Sequence, residues 1–210
     1  MIKYADDTYL IIPASGVNIR SAEINNITNW AILNNLTVNK AKMIKIIIYN
    51  SWRKETHLLP ALPGITEVDS LCVLGVTLMR RLSASEHIRR VISDCLHSLY
   101  ALHMLHDHGL AEAGLHTVFC SVIVTKLLYA SSAWSGFITA SDRHRMDAFL
   151  HRSKCCGYCQ PDLPSFDQSV EDSDDRLFHK LCTNTGYTLH YLLPPPNTAM
   201  EHYNLRNGTI

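Results

Sequence analysis

The sequence lacks an excess of charge of either sign. Its 19 lysine and arginine residues are balanced by 19 aspartate and glutamate residues. The chain as a whole therefore has no net electrostatic attraction for nucleic acid or for an acidic membrane surface. Any binding of phosphate groups has to come from local basic patches on the surface.

A secretion signal and a long apolar run are also missing. Met1 leads directly into a predicted β-hairpin, without the basic and apolar regions of a signal peptide. The most apolar stretch, residues 118 to 134, contains Ser121, Thr125 and Lys126 and falls short of the roughly 20 apolar residues that span a bilayer. We predict that this stretch is a buried helix and that the protein is intracellular, either nuclear or cytoplasmic.

The cysteines do not form an even set. Seven cysteines without a signal peptide favour reduced thiols over a disulfide framework. Cys156 and Cys159 have the C-x₂-C spacing of a zinc knuckle, but no second pair accompanies them. The sequence therefore favours thiols at the end of a helix over a zinc site.

Two adjacent acids stand out near the N-terminus. In the tetrapeptide Tyr4-Ala5-Asp6-Asp7 the aspartates are flanked by apolar, extended segments, which predicts a hairpin with both carboxylates at its tip. Neighbouring carboxylates repel each other unless a cation neutralises them, and Mg²⁺ prefers such oxygen ligands. The residues indicate either metal-assisted phosphoryl transfer or a solvated Asp-Asp turn.

The next segments predict an α+β layer. Ser21 is a predicted N-cap of a helix that extends to about Asn35, with Ile24 and Ile27 on one face. Residues 43 to 49, which contain four isoleucines, predict a central strand. We expect the Asp-Asp hairpin to lie beside this strand near Ile46 and against the helix near Trp30.

The middle of the chain has helical periodicity. Ser83 to Glu86 predicts a capping box, followed by apolar residues at helical spacing up to Gly109. Two further amphipathic segments, one around residues 115 to 123 and one from Ser141 to about Lys154, complete a predicted three-helix bundle.

Three segments of the chain resemble a known family. Tyr4 to Asp7 resembles the aromatic-Ala-Asp-Asp box of reverse transcriptases, and residues 30 to 42, which end in Val-Asn-Lys-Ala-Lys, resemble the family's next block. Val73 to Leu78 is similar to the Leu-Gly-Val segment of the hairpin that holds the primer end. Their order and spacing are most similar to LINE-type non-LTR retrotransposons, and Tyr203 to Arg206 resembles an element near the end of those polyproteins.

The resemblance implies a domain organisation. Residues 1–80 correspond to a partial polymerase palm sheet, built from antiparallel hairpins and one helix, and residues 81–157 to an all-α, thumb-like bundle. Residues 158–210 are predicted to be an acidic linker and a C-terminal connector that is partly disordered. The predicted class is therefore α+β.

The resemblance also implies the site and its ligands. Asp6 and Asp7 would hold Mg²⁺, or Mn²⁺, for RNA-templated DNA synthesis on a DNA primer. Lys42 would protonate the departing pyrophosphate or neutralise its charge, although Lys40 competes for this role and a solvated lysine is the alternative. The primer-grip-like residues are Leu74, Gly75 and Val76.

The predicted third bundle helix carries a basic row that can pair with phosphates without reading bases. Its members are Arg143, Arg145, Arg152 and Lys154, and the alternative is a solvated face. The family's further aspartate and its fingers precede the Asp-Asp turn and are not among these residues. We therefore expect the chain alone to be inactive, and the other interpretations are a non-catalytic nucleic-acid-binding or interaction remnant and a pseudogene product.

Overall fold

The computed structural model describes residues 2–4, 7–49, 62 and 64–194. The chain divides into two compact units, Met1–Ser83 and Ala84–Ile210, and each is described by itself. Short strands lie in the first unit and long helices in the second, so the predicted mixed α+β class is confirmed.

The predicted N-terminal hairpin is formed. Strands β1 (Ile2–Tyr4) and β2 (Asp7–Tyr9) pair antiparallel, with Ile2 opposite Tyr9 and Tyr4 opposite Asp7. Asp7 therefore begins the second strand. Ala5 and Asp6, which lie between the strands in sequence, fall outside the described residues.

The predicted first helix is present with a different start. A 3₁₀ segment, Ala14–Ile19, continues into α1 (Arg20–Leu33), and Ile19 occupies the N-cap position without a side-chain hydrogen bond. Ser21 is inside the first turn, so the prediction that it caps the helix was wrong. Because the 3₁₀ turns already precede the helix, no side-chain cap is needed to start it. In α1 only Ala31 is buried, while Trp30 is 42 % exposed.

The predicted central strand over residues 43 to 49 was wrong. After a 3₁₀ turn at Lys40–Lys42, strand β3 covers only Ile44–Lys45 and pairs in parallel with β4 (Thr66–Glu67). Strands β1 and β2 form a separate two-stranded sheet and do not pair with β3. Isoleucine is favoured on a pleated, half-buried surface, so a run of isoleucines forms a strand only where neighbouring strands provide that surface.

A second hairpin joins β5 (Ser70–Val73) to β6 (Val76–Met79), with Val73 opposite Val76. The two connecting residues, Leu74 and Gly75, have φ angles of 48° and 86°. Positive φ at both central positions is typical of a type I′ turn, whose twist matches that of the strands. The primer-grip-like residues therefore lie at the tip and the second strand of this hairpin.

The first two long helices of the second unit are α2 (Ser85–Asp107) and α6 (Ala140–Cys155). Between them the chain forms α3 (Glu112–Val118), a π-helical stretch at Phe119–Val124, α4 (Thr125–Leu127), α5 (Ser131–Trp134) and a 3₁₀ turn at Ser135–Phe137. The largest fully buried side chains include Trp134, Phe119, Phe149, Phe166 and Ile88.

Two features of the predicted bundle differ in the structure. The second helix is interrupted by the π-helical stretch and by Ala130, whose φ of 52° is left-handed. The predicted capping box at Ser83 to Glu86 was wrong, because Ala84 is the N-cap of α2 and Glu86 pairs with Arg89 instead.

Among the described helices, the stretch Glu112–Phe137 is long and apolar enough to cross a membrane, with a mean hydropathy of 1.5 in its most apolar window, of which 22 % is buried.

The predicted acidic linker was wrong over much of its length. Residues Phe166–Thr183 form helix α7, which buries Phe166 and Val170. Ser165 and Gln168 form a capping box at its start. The acidic residues are on the exposed side, where they do not oppose helix formation, while the apolar residues one turn apart pack inward. A final 3₁₀ turn covers His190–Leu192.

Candidate functional site

The two hairpins of the first unit approach each other at Tyr9. Its phenol donates a hydrogen bond to Asp7 Oδ2 over 3.3 Å, because residues two apart in a strand share a face. A backbone hydrogen bond from Leu74, at the tip of the second hairpin, also reaches the phenol. The structure therefore places Asp7, Tyr9 and the Leu74-Gly75 turn together.

Burial and the neighbouring Asp7 both act on the Tyr9 phenol. Partial burial, the negative charge of Asp7 and the hydrogen bond to it all raise the pKa of the Tyr9 phenol, while the contact with Leu74 lowers it. The phenol is therefore protonated at neutral pH and serves as a hydrogen-bond donor. Asp7 itself is exposed, so its carboxylate is accessible from solvent.

Asp7 alone does not make a metal site. The carboxylate oxygen suits a hard cation, but in the part of the chain that the structure describes no group of three or more histidine, cysteine or acidic side chains could hold a metal ion. Asp6 is outside the described residues. With only two carboxylates, a Mg²⁺ ion keeps most of its water and binds weakly.

Lys42 is the last residue of the 3₁₀ turn at Lys40–Lys42 and is exposed. The turn is held by Asn39, whose side chain accepts a hydrogen bond from the Ala41 N–H over 3.2 Å. Within the described residues, no ion pair joins Lys42 to Asp7. The turn therefore leaves both Lys40 and Lys42 exposed to solvent. Their positions do not decide which of the two would act on the departing pyrophosphate.

The predicted basic row of α6 is divided between two faces of the helix. Arg143 pairs with Asp167 and donates to the Ser135 carbonyl over 2.9 Å. Lys154, eleven residues later on the same face, donates to the carbonyl of Leu163. These two cations hold the start of α7 and the loop before it, which leaves them poorly placed for phosphates.

Arg145 and Arg152 lie on a different, exposed face. They are seven residues apart, so they are about 10 Å apart along the helix axis and nearly aligned around it. Arg145 is 3.5 Å from Asp142, and Arg152 bonds only its own helix, at the Ala148 carbonyl. The prediction of one continuous row of four was wrong, because an interval of two residues turns a helix by about 200°.

A buried carboxylate organises the starts of α2 and α6. Asp142 is 4 % exposed and accepts hydrogen bonds from the hydroxyls of Ser85 over 2.6 Å and Thr139 over 2.7 Å. The Thr139 hydroxyl accepts from the Asp142 N–H over 3.1 Å, and the Asp142 carboxylate accepts from the Thr139 N–H over 3.2 Å, which completes a capping box. Burial raises the pKa of Asp142, but the hydrogen bonds from Ser85 and Thr139 outweigh it, so the pKa lies below its ordinary value.

Comparisons with known proteins return no relative. No protein-family model matches the chain, and no curated protein or solved structure matches it. The functional assignment therefore depends on the residues and on their geometry.

Two features of the site were not predicted from the sequence. Tyr9 links the two hairpins, and its position two residues after Asp7 is the signal that could have indicated it. Asp142 follows Thr139 by three residues, the spacing of a capping box with an acidic third residue. Its bond to Ser85, 57 residues away in sequence, is a tertiary contact that no local pattern indicates.

Proposed function

We propose that this chain is a C-terminal part of the RNA-directed DNA polymerase of a LINE-type non-LTR retrotransposon. It would comprise the end of the palm, a thumb-like helical unit and a connector, and would work inside the cell, in the nucleus or cytoplasm. The observation that carries the proposal is the contact of Asp7, through Tyr9, with the Leu74 turn. It joins the two segments whose resemblance implies the catalytic box and the primer grip.

In this proposal each residue has a distinct task. Asp6 and Asp7 would hold Mg²⁺, which supplies charge neutralisation for the attacking and leaving oxygens of phosphoryl transfer. Tyr9 fixes the Asp7 carboxylate by a hydrogen bond and ties it to the Leu74 turn. Lys42, on an exposed turn, would offset the charge of the departing pyrophosphate.

The chain alone is proposed to be inactive. Two-metal phosphoryl transfer needs ions about 4 Å apart, and such a pair requires more ligands than two adjacent carboxylates provide. The family's upstream aspartate and its fingers are not among the 210 residues. In this proposal, activity requires those parts in addition to the residues described here.

A complementation assay tests the catalytic assignment. The purified chain is assayed for extension of an RNA-templated DNA primer, alone and together with a fingers-and-upstream-palm fragment of a LINE-type reverse transcriptase. We expect no extension by the chain alone, and extension by the mixture that Asp6→Asn/Asp7→Asn abolishes. Extension that survives the double substitution, or a mixture that stays inactive, would contradict the assignment.

A second candidate function is a nucleic-acid-binding module without catalysis. It is favoured by Arg145 and Arg152, which are exposed and aligned along α6. Such a pair can contact successive phosphates of a duplex of any sequence. This candidate does not require Asp6 or Asp7, so it predicts binding that the double substitution leaves unchanged.

A filter-binding salt series tests the binding face. Arg145→Gln/Arg152→Gln removes the exposed pair, and Arg143→Gln/Lys154→Gln is the matched control because those cations already have partners within the chain. For a duplex, loss of the exposed pair in Arg145→Gln/Arg152→Gln should reduce the slope of log affinity against log salt by about 1.8, at about 0.9 for each lost phosphate contact. Equal slopes for the two double variants, or binding that ignores salt, would exclude this face.

A further inference from the structure

The exposed surface of α6 brings a thiol and an imidazole into contact. Cys155 Sγ lies 3.6 Å from His151 Nε2, within hydrogen-bonding distance for sulfur. The two residues are four apart, so they are neighbours on one face of the helix. Both side chains are exposed, which leaves the sulfur open to small reagents.

The other cysteines provide internal comparisons. Cys95 and Cys159 are buried, and burial raises the pKa of each thiol to about 11, which keeps them protonated and inert. Cys156 and Cys182 are exposed like Cys155. Among the described contacts, neither of them has an imidazole nitrogen at hydrogen-bonding distance, so Cys155 differs from them by a neighbouring base.

Two basic residues lie near Cys155 at the end of α6. Arg152 lies one turn before it, and Lys154 is also in the last turn of the helix. These cations offset the negative end of the helix dipole, which by itself disfavours an anion at this position. Asp147 lies at the edge of the same face two turns earlier, and its carboxylate accepts a hydrogen bond from the Phe166 N–H over 3.1 Å.

We propose that Cys155 is a modification site for hydroperoxides, with His151 as its proton acceptor. His151 takes the thiol proton, and the sulfur attacks one oxygen of the peroxide. An S–O bond forms as the O–O bond breaks, and two electrons pass from sulfur to oxygen. The leaving oxygen takes the proton from His151, so a thiol and a hydroperoxide become a sulfenic acid and water or an alcohol.

The test uses the full, reduced chain. It is exposed briefly to hydrogen peroxide in the presence of dimedone, a reagent that traps sulfenic acids, and the occupancy of each cysteine is read by peptide mass spectrometry. We expect Cys155 to be trapped about tenfold faster than Cys182, a modest effect for an exposed general base. Cys156→Ser should keep this reaction and Cys155→Ser should lose it, which separates the two neighbours.

The decisive variant is His151→Gln. Gln is a good helix former, so thermal unfolding followed by circular dichroism should match the parent chain. The trapping rate of Cys155 should fall to that of Cys182, while Cys182 itself is unchanged. A Cys155 rate that equals that of Cys182 in the parent chain, or one that His151→Gln leaves unaltered, would overturn the proposal.

Discussion

The two units differ in how much core they contain. In the described part of Met1–Ser83, the buried residues are Ala31, Val76 and Thr77. The unit Ala84–Ile210 buries aromatic side chains such as Trp134, Phe149 and Phe166 completely or nearly so. Since burial of apolar surface is the dominant favourable term in folding, the helical unit carries most of the stability. The unit with the candidate catalytic residues depends on short strand pairs and surface ion pairs.

The strand unit relies on weak contributions. Lys45 faces Glu67 across the parallel pair at 3.0 Å, and Arg80 bridges Glu67 and Asp69. These carboxylates and guanidinium groups are partly exposed, where ion pairs are screened and contribute little. Two-stranded sheets are marginal without a further hydrophobic partner. The difference between the two units indicates that secondary structure without a buried core does not make a stable unit.

The largest difference in unfolding free energy is expected between substitutions at Trp134 and at Trp30. Trp134 is fully buried, stacks on Phe166 at 6.0 Å and donates from Nε1 to the Tyr129 carbonyl over 2.9 Å. Trp134→Ala should lower the free energy of unfolding by about 3–5 kcal/mol. Trp30→Ala, at a 42 % exposed position, should lower it by less than about 1 kcal/mol. Urea unfolding followed by circular dichroism measures both, and equal losses would contradict the comparison.

Asp142 gives the next largest effect. Asp142→Asn weakens the charge-assisted bonds from Ser85 and Thr139 and should cost about 2 kcal/mol at neutral pH. The exposed Asp94→Asn is the matched control and should change little.

The pH dependence of the Asp142 effect follows from the direction of its pKa shift. Since the pKa in the folded state lies below the ordinary value of 3.8, the stabilisation is complete above that value and is lost as the pH falls through the lower, folded-state pKa. Urea midpoints between pH 7 and pH 2 should therefore converge for the parent chain and Asp142→Asn in acid. A difference that stays constant down to pH 2 would show that the carboxylate's charge is not responsible.

A smaller effect is expected at the tip of the second hairpin. Leu74 has a φ of 48°, which a residue with a Cβ adopts at a cost and which asparagine tolerates better. Leu74→Asn should stabilise the hairpin by about 0.5–1 kcal/mol, and Gly75→Ala, at a φ of 86°, should destabilise it. Hydrogen exchange at the amides of residues 76 to 79 measures the change, and a loss of protection in Leu74→Asn would contradict the turn assignment.

The sequence predicts α2 and α6 well because their apolar residues recur with helical period. The predicted third helix, Ser141 to about Lys154, agrees with Ala140–Cys155 within a residue at each end. The region of helix α7 was assigned to an acidic linker and a connector, because the acidic composition concealed the inward spacing of Phe166 and Val170. The capping pair Ser165 and Gln168 would have marked its start.

The candidate site is less predictable, because its arrangement depends on tertiary contacts. The hairpin of Asp7 followed from the local pattern, whereas the strand over residues 43 to 49 required neighbouring strands that the described part of this unit does not provide. The division of the basic residues of α6 could have been obtained from the helical period alone. Their partners could not, because Asp167 and Leu163 belong to segments that pack there only after folding.

Native-state hydrogen exchange on the full chain tests most directly whether the unit Ala84–Ile210 is more stable than the unit Met1–Ser83. Amides in the middle of α2, residues 88 to 102, should exchange only through global unfolding, because their side chains form the core of the helical unit. Amides of Ile44–Lys45 and of the hairpin that carries Asp7 should exchange through local opening, orders of magnitude faster. Protection in residues 44 to 49 that equals or exceeds the protection in residues 88 to 102 would contradict the account.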